Sequence, residues 1–351
     1  MKIDYLIIGQ GLAGSLLGWE LIQQGCTVVI VDNGVENASQ IAAGLINPIT
    51  GIRMVKSAEV DILLPVARKC YSDLHTFFRN EFFIGKPMVR IFKSEDEKDA
   101  ALKRIESPDY RAYISNIESM SSQLSNISIP FGYMEQNLTG YLLTRPLLDS
   151  LKEFFISRNS YRQSEVDYRD IELIPTLRWQ YIYPKKIIFS EGYRAAQNPW
   201  FSWLPFQPVK GEMLTIQHEA RLPDKILNNG NWLIPLNENQ VRIGATFDRE
   251  NLNTLPTEEG KNELLNSLLQ LTPEFKNSNI LVHQANIRPC TMDRHPFIGT
   301  HPKLDQLAIF NGFGAKGSLQ IPWFSQQLAN HLLGGSSLPT SCNIERHYKM
   351  L

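Results

Sequence analysis

Cysteine is scarce and scattered in this 351-residue chain: Cys26, Cys70, Cys290 and Cys342, with no C-x-x-C pair. That spacing supports neither a disulfide framework nor a zinc site, and makes a reducing, cytoplasmic compartment the expected home. An excess of one charge is missing too. The 35 Lys+Arg against 36 Asp+Glu leave a formal net charge of −1, which does not point to nucleic acid or acidic lipid as the main partner, although a local basic patch fits that total. No run of about 18 uncharged apolar residues occurs, so no transmembrane helix is expected. The apolar N-terminus does not read as a signal peptide, because Asp4, Gly9, Gly11, Gly14 and Glu20 interrupt it. No internal repeat, low-complexity linker or nucleophile elbow is found. His283, His301 and His331 share no ligand spacing, so no metal is assigned.

What is present is an ordinary globular composition, 43% hydrophobic and 20% charged, in a chain long enough for two domains or one large α/β unit. Residues 3–8 (IDYLII) read as a buried strand. Leu12–Gln24 reads as a helix with Leu12, Leu16, Leu17 and Leu21 on one side, and 27–31 (TVVIV) as a β-branched strand. Strand, glycine turn, helix and strand form a βαβ opening, which predicts a parallel sheet with a right-handed crossover. Residues 33–57 read as irregular. Helices are expected near 60–79, 95–105, 147–158, 258–271 and 318–333, and strands at 88–92, 178–184, 185–192, 280–284 and 307–310. Between 209 and 247 the stretches EMLTI, NWLIPL and QVRIGATF are strand-like and separated by turns, which suggests an antiparallel sheet in a second domain. Residues 288–302 read as a proline-rich turn, and 311–317 as a glycine loop.

Gly9-Gln10-Gly11-Leu12-Ala13-Gly14 fits G-x-G-x-x-G between a strand and a helix. The first glycine permits the tight turn, the second lets backbone approach a pyrophosphate, and the third allows close helix–strand packing. The helix N-terminus offers N–H groups to phosphate. Asp32 ends the second strand, where a carboxylate can accept from ribose hydroxyls and would repel a 2′-phosphate, so NADP is disfavoured. The turn alone does not separate NAD from FAD. Residues 38–48 (ASQIAAGLINP) are small; Gly44 lets backbone lie against a flat ring, and Ser39 can reach a phosphate oxygen.

Taken together, GQGLAG, Asp32 and ASQIAAGLINP resemble the D-amino-acid oxidase family of flavoproteins. That family includes enzymes oxidising glycine, sarcosine and D-amino acids, and the FAD domain of the bifunctional enzyme that modifies the wobble uridine of tRNA. The C-terminal half adds KGEML (210–214), similar to the strand opening the family's substrate domain, and IRPCTMDRHPFIG (287–299), similar to its R-P-x-x-x-D-x-x-P-x-I-G stretch. NGFGAKGSLQIP (311–322) is similar to the glycine loop before its last helix. The pieces run in the family's order over nearly the whole chain.

The resemblance implies non-metal, FAD-dependent oxidation of an amine or amino acid at the C–H beside nitrogen. Hydride passes to flavin N5 and leaves an imine. It places cofactor contacts at Gly9, Gly11, Leu12, Ala13, Gly14, Asp32, Asn33, Ala38, Ser39, Ala43, Gly44, Leu45 and Val166. In the last loop and helix it places them at Gly312, Gly314, Ala315, Lys316, Gly317, Ser318 and Leu319, where a helix N-terminus would favour negative charge on the reduced flavin. Arg288, fixed in extended backbone by Pro289, matches the family arginine that grips the substrate carboxylate; by residue type alone it reads first as a structural partner of an acid such as Asp293. Lys316 stands where the tRNA-modifying branch has a basic residue, and glycine oxidase carries its arginine one position earlier, here Ala315. Cys290 reads as a packed thiol, His295 as a turn residue, Lys185-Lys186 as a solvated pair, and Trp200, Phe201, Trp203 and Phe206 as packing.

The expected fold is α/β: a Rossmann-like FAD-binding domain from 1–85, 135–205 and 286–351, and a second α+β substrate domain on an antiparallel sheet from 86–134 and 206–285. The expected activity is a small-molecule amine or amino-acid oxidoreductase without membrane insertion. One alternative is a tRNA-modification oxidoreductase acting on a carboxymethylaminomethyl uridine. Another is an NAD-dependent dehydrogenase, which would account for the first 32 residues but not for 287–322.

Overall fold

The computed structural model describes residues 1–120 and 124–350; part of the Ser/Asn-rich stretch, at 121–123, lies outside them. A six-stranded sheet runs in the order Tyr161–Gln163, Val28–Asp32, Lys2–Ile8, Tyr183–Phe189, Leu304–Asn311 and Phe297–His301. The first five are parallel and only the last pair is antiparallel. Both faces are covered, which is why its strands are continuous apolar runs rather than alternating ones. Ile7, Ile30, Ile188 and Ala308 belong to one core, and Leu6, Val29, Ile187 and Ile309 to the core on the other side. Helix Leu12–Gln23 buries Leu12, Leu16, Leu17 and Leu21, a spacing that lines up one helical face. The N-terminal βαβ unit is as the sequence implies.

An eight-stranded sheet forms the second layer. Its order is Asn279–Arg288, Val209–Gln217, Gln240–Gly244, Trp232–Asn237, Ile226–Asn228, Met88–Ile91, Tyr133–Gln136 and Ile114–Glu118. Val89, Leu214, Ile216, Leu233, Val241 and Ile243 alternate onto one face, against Leu264, Leu268 and Leu271 of helix Glu258–Leu271. Burying each of these leucines contributes about 2 kcal/mol. The other face looks toward a small sheet of Leu45–Ile46, Gly140–Leu142 and Phe83–Gly85, with Met88, Ile226 and Ile234 packed on Ala43 and Tyr141.

Several expectations need correction. The second sheet is antiparallel except where Ile226–Asn228 pairs parallel to Met88–Ile91; that pair joins two chain segments far apart in sequence, which needs no hairpin. The strand-like pieces at 178–184 and 185–192 are divided differently, into a two-residue strand Arg178–Trp179 and a single strand Tyr183–Phe189 that continues through Pro184. The proline-rich turn at 288–302 contains the strand Phe297–His301, which begins just after Pro296. The strand expected at 280–284 extends to Asn279–Arg288. Residues 33–57 contain a short helix, Ala38–Ile41, closed by a capping box between Asn37 and Gln40.

Candidate functional site

The parallel strands aim their C-terminal ends at one edge of the six-stranded sheet. Gly9 follows Lys2–Ile8, Asp32 ends Val28–Asp32, Val166 lies just past Tyr161–Gln163, Ser190 follows Tyr183–Phe189, and Gly312 follows Leu304–Asn311. The chain moves to opposite sides of Lys2–Ile8 after that strand and after Tyr161–Gln163. Such a switch point opens a crevice at the carboxyl ends of the strands.

Backbone crowds that crevice. Gly9 has φ +107, and a side chain on it would strike the carbonyl of Ser190; one on Gly14 would strike the carbonyl of Gly9. Gly11, the N-cap of helix Leu12–Gln23, has no side chain to cover the helix end, and the Leu12 N–H donates to Ser39 Oγ at 3.0 Å. Residue 39 is thereby held against the same helix terminus. Asp32 accepts from the Gln10 N–H at 2.8 Å and the Gly34 N–H at 2.7 Å, one on each oxygen, so each oxygen retains acceptor capacity. A bare helix terminus beside a fixed carboxylate suits a dinucleotide's pyrophosphate and ribose, so these residues fit FAD. Asn33, Ala38 and Ala13 lie on the same turns. Ala43, Gly44 and Leu45 run along the small sheet, with Gly44 N-terminal to Leu45–Ile46.

The last glycine loop closes the crevice from the other side. Gly314 N–H donates to the Pro289 carbonyl at 3.1 Å, and a β-carbon on Gly314 would lie 3.2 Å from Cys290 Sγ. This ties Gly312–Gly314 to the residues directly after Arg288. Helix Gly317–Leu332 starts at the loop with Ala315 and Lys316 before it and Ser318 and Leu319 in its first turn. Pro322 has no N–H, so the Ser318 carbonyl lacks its helical donor; the Tyr71 hydroxyl supplies one at 2.6 Å. Lys316 Nζ donates to Ser57 Oγ at 3.1 Å. Burial, and then nearby Arg294, lower its proton affinity.

Arg288 is the central feature. It ends strand Asn279–Arg288, opposite Val209, and its guanidinium lies over Gly211, where any side chain would collide with it. Nη2 donates to the Thr246 carbonyl at 3.1 Å. Among the described residues no carboxylate reaches ion-pair distance of it, and burial lowers its proton affinity. The alternative pairing with Asp293 is overturned. Asp293 takes Arg346 Nε at 2.8 Å and His347 Nε2 at 3.1 Å, and these hold its carboxyl at about 2 although burial acts the other way. A half-buried guanidinium without a counter-charge is a ready partner for an anion from outside the chain.

The remaining readings divide. His295 is a turn residue whose carbonyl accepts from Thr291 Oγ1 at 2.8 Å. Phe201 is fully buried in the core, with Trp200, Trp203 and Phe206 packed against that core. Lys185 is exposed and pairs with Asp4, but Lys186 is half-buried and donates to the Asp305 carbonyl, so the pair is not uniformly solvated. The sequence reading missed Gly211, Thr246 and Ser57. The glycine inside KGEML was the signal for the first. The second acts through its backbone carbonyl and the third through a contact distant in sequence, so neither leaves a local signal.

Comparison with known proteins finds similarity to FAD-dependent oxidoreductases. The family described as FAD dependent oxidoreductase (DAO) matches residues 174–331. The chain is 25% identical to the glycine oxidase of Pseudomonas aeruginosa, over 95% of this chain and 96% of that protein. It is 24% identical to the tRNA 5-methylaminomethyl-2-thiouridine biosynthesis bifunctional protein MnmC of Marinobacter nauticus, over 93% of this chain but 55% of that protein. The solved glycine oxidase of Geobacillus kaustophilus superposes with a TM-score of 0.82 at 20% identity, covering 96% of each chain.

Proposed function

We propose that the chain, whose residues 174–331 match the family described as FAD dependent oxidoreductase (DAO) and which is 25% identical to a glycine oxidase, is an FAD-dependent enzyme that oxidises a small carboxylate-bearing amine or amino acid at the C–H beside nitrogen. The observation that carries this reading is Arg288, a half-buried guanidinium seated on Gly211 and, among the described residues, lacking a carboxylate partner. Bound FAD supplies the hydride acceptor, and the resulting imine is hydrolysed by water. Gly9, Gly11, Leu12, Ala13, Gly14, Asp32, Asn33, Ala38, Ser39, Ala43, Gly44, Leu45 and Val166 would hold it, with Gly312, Gly314, Ala315, Gly317, Ser318 and Leu319 at the last helix.

The chain's own residues orient and desolvate. Arg288 grips the substrate carboxylate in two-point fashion, while its third contact, the Thr246 carbonyl, fixes the plane of the guanidinium. Lys316, steadied by Ser57, keeps positive charge at the loop and supports the anionic substrate. No general base is needed when the amine enters neutral. The four cysteines are free thiols, in keeping with a cytoplasmic setting.

Replacing Arg288 by Met tests the reading. The lost charge-assisted contacts, about 1.5–3 kcal/mol, raise KM roughly 10- to 100-fold for an amino acid and leave the matching amine without a carboxylate unchanged. Equal KM values for the amino acid in both proteins refute the assignment. A second reading, action on a carboxymethylaminomethyl uridine in tRNA, draws on the match to MnmC and on Lys316. Filter binding with tRNA across a salt series separates the two, because phosphate contacts give a steep salt slope.

A further inference from the structure

The face of the eight-stranded sheet that carries Arg288 holds a second arginine that nothing neutralises. Along Val209–Gln217, residues Gly211, Met213 and Thr215 share that face, because side chains alternate. Arg288 covers Gly211. Two rungs on, Arg242 of strand Gln240–Gly244 stands directly opposite Thr215 on one side and Ile234 on the other. The spacing along the strand is about 13 Å. Between the two arginines, Trp232 lies over Gly244, so that rung is apolar.

Arg242 is half-buried. Its Nε is sealed from solvent and has no hydrogen-bond partner, and among the described residues no carboxylate pairs with it. Burial lowers its proton affinity, and its titratable neighbours are the Tyr141 phenol, kept neutral by burial, and another cation, Arg145. Arg145 is itself paired with Glu36, which leaves no acid for Arg242. Lys86 likewise takes Asp224, one of two acids near Tyr141; the other, Glu81, is exposed. Ile234 and Tyr141 pack with Ala43, so Arg242 borders the gap between the sheet and the Ala43–Leu45 segment, the same gap that Arg288 enters at its other end. A guanidinium with Nε sealed and unpaired is completed best by an anion from outside the chain.

We infer that Arg242, with the Tyr141 hydroxyl beside it, is a second anion subsite, and that the chain takes a dianionic substrate: an amine or amino acid with one carboxylate for Arg288 and a second carboxylate at the far end. This inference rests on the Arg288 reading above and narrows it. A neutral tail would leave the Arg242 guanidinium desolvated and unpaired, so the subsite selects against uncharged tails as well as for charged ones.

Calorimetric titration of the FAD-loaded protein with α,ω-dicarboxylates of increasing length, against monocarboxylates of matched length, tests it without requiring turnover. The expected result is a dicarboxylate of one best length binding roughly 10- to 100-fold tighter than its monoacid. Arg242→Met removes that advantage and leaves monoacid affinity unchanged; Arg242→Lys restores part of it. Because Arg242 has no hydrogen bond to lose, the Met variant retains the wild-type melting temperature. Equal binding of diacids and monoacids by wild type, or an advantage that survives in Arg242→Met, overturns the second subsite. Arg288→Met separates the two levels of argument. If it weakens both ligand classes while Arg242→Met affects neither, the carboxylate site stands and the second subsite fails. If it affects neither class, the Arg288 reading fails and this inference with it.

Discussion

Lys210 provides the sharpest test of how the substrate-side sheet is held together. It is fully buried, with Nζ donating to Asn253 Oδ1 at 3.0 Å and to the Leu255 carbonyl at 2.6 Å, and lying 3.4 Å from Glu212 Oε1. Glu212 in turn accepts from the Thr257 N–H and hydroxyl at 2.9 Å each and from His283 Nε2 at 2.8 Å. Lys210 and Glu212 point to the face opposite Gly211. The Lys-Gly-Glu triplet therefore pins residues 246–257 with its outer members and seats Arg288 with its middle one. The Glu212 N–H also donates to Thr246 Oγ1 at 2.9 Å, and the Thr246 carbonyl is the one that holds Arg288.

Lys210→Met keeps the length and buried volume of the side chain but removes the charge and its donors. Glu212 keeps three other donors, so it is weakened rather than stranded. Breaking one partner out of a buried pair costs about 3–5 kcal/mol; the released Leu255 carbonyl can turn to water in this exposed segment, which places the expected loss near 3 kcal/mol. For a chain of this size that is a fall in Tm of about 4 °C. Thermal unfolding followed by circular dichroism gives the Tm, and limited proteolysis reports new cleavage within 248–256. Glu212→Gln should cost a similar amount, and the double variant less than the sum of the two, by about 1–3 kcal/mol. A Tm within about 2 °C of wild type for Lys210→Met, or strict additivity in the double variant, refutes the clamp.

Other expectations follow from single contacts. Gly211→Ala has no backbone penalty to face but drives a methyl group into the Arg288 guanidinium; KM for a carboxylate substrate should rise about tenfold while kcat changes little, and unchanged KM would place the guanidinium elsewhere during turnover. Glu191, next to Ser190 at the crevice, is pushed up to about 7 by burial, against hydrogen bonds from Asn198 and Tyr168 at 2.9 Å. Its folded state therefore holds a proton that the unfolded chain releases above about 4.5, so its contribution is full below that pH and is lost as pH rises through 7. The contribution is at most about 3 kcal/mol. Denaturant midpoints at pH 5 and 8 should show that decline in wild type and a flatter profile in Glu191→Gln; identical profiles would remove Glu191 as the cause.

How much of this was legible in the sequence depends on how locally each feature is encoded. The opening βαβ unit was readable because Gly9, Gly11, Gly14 and the leucines of Leu12–Gln23 all act within one turn of chain. Helix Glu258–Leu271 matched its expected span because Thr257 caps it and Pro273 follows its end. The parallel pair of Ile226–Asn228 with Met88–Ile91 was not readable, since no turn residue encodes a pairing between distant segments. The same limit produced the error at Asp293. Sequence proximity made Arg288 its natural partner, but the chain returns at its C-terminus and brings Arg346 and His347 to that carboxylate.

That correction bears directly on chemistry. Had Asp293 neutralised Arg288, the guanidinium would be a structural group with little left to offer a ligand. The carboxylate is taken by residues 346 and 347, and among the described residues Arg288 sits on Gly211 with the Thr246 carbonyl as its one hydrogen-bond partner. The C-terminal residues thus leave the arginine available without touching the site. Arg346 accordingly belongs with the scaffold around the site: its removal would leave the partly buried Asp293 to His347 Nε2 at 3.1 Å and the His295 N–H at 3.1 Å.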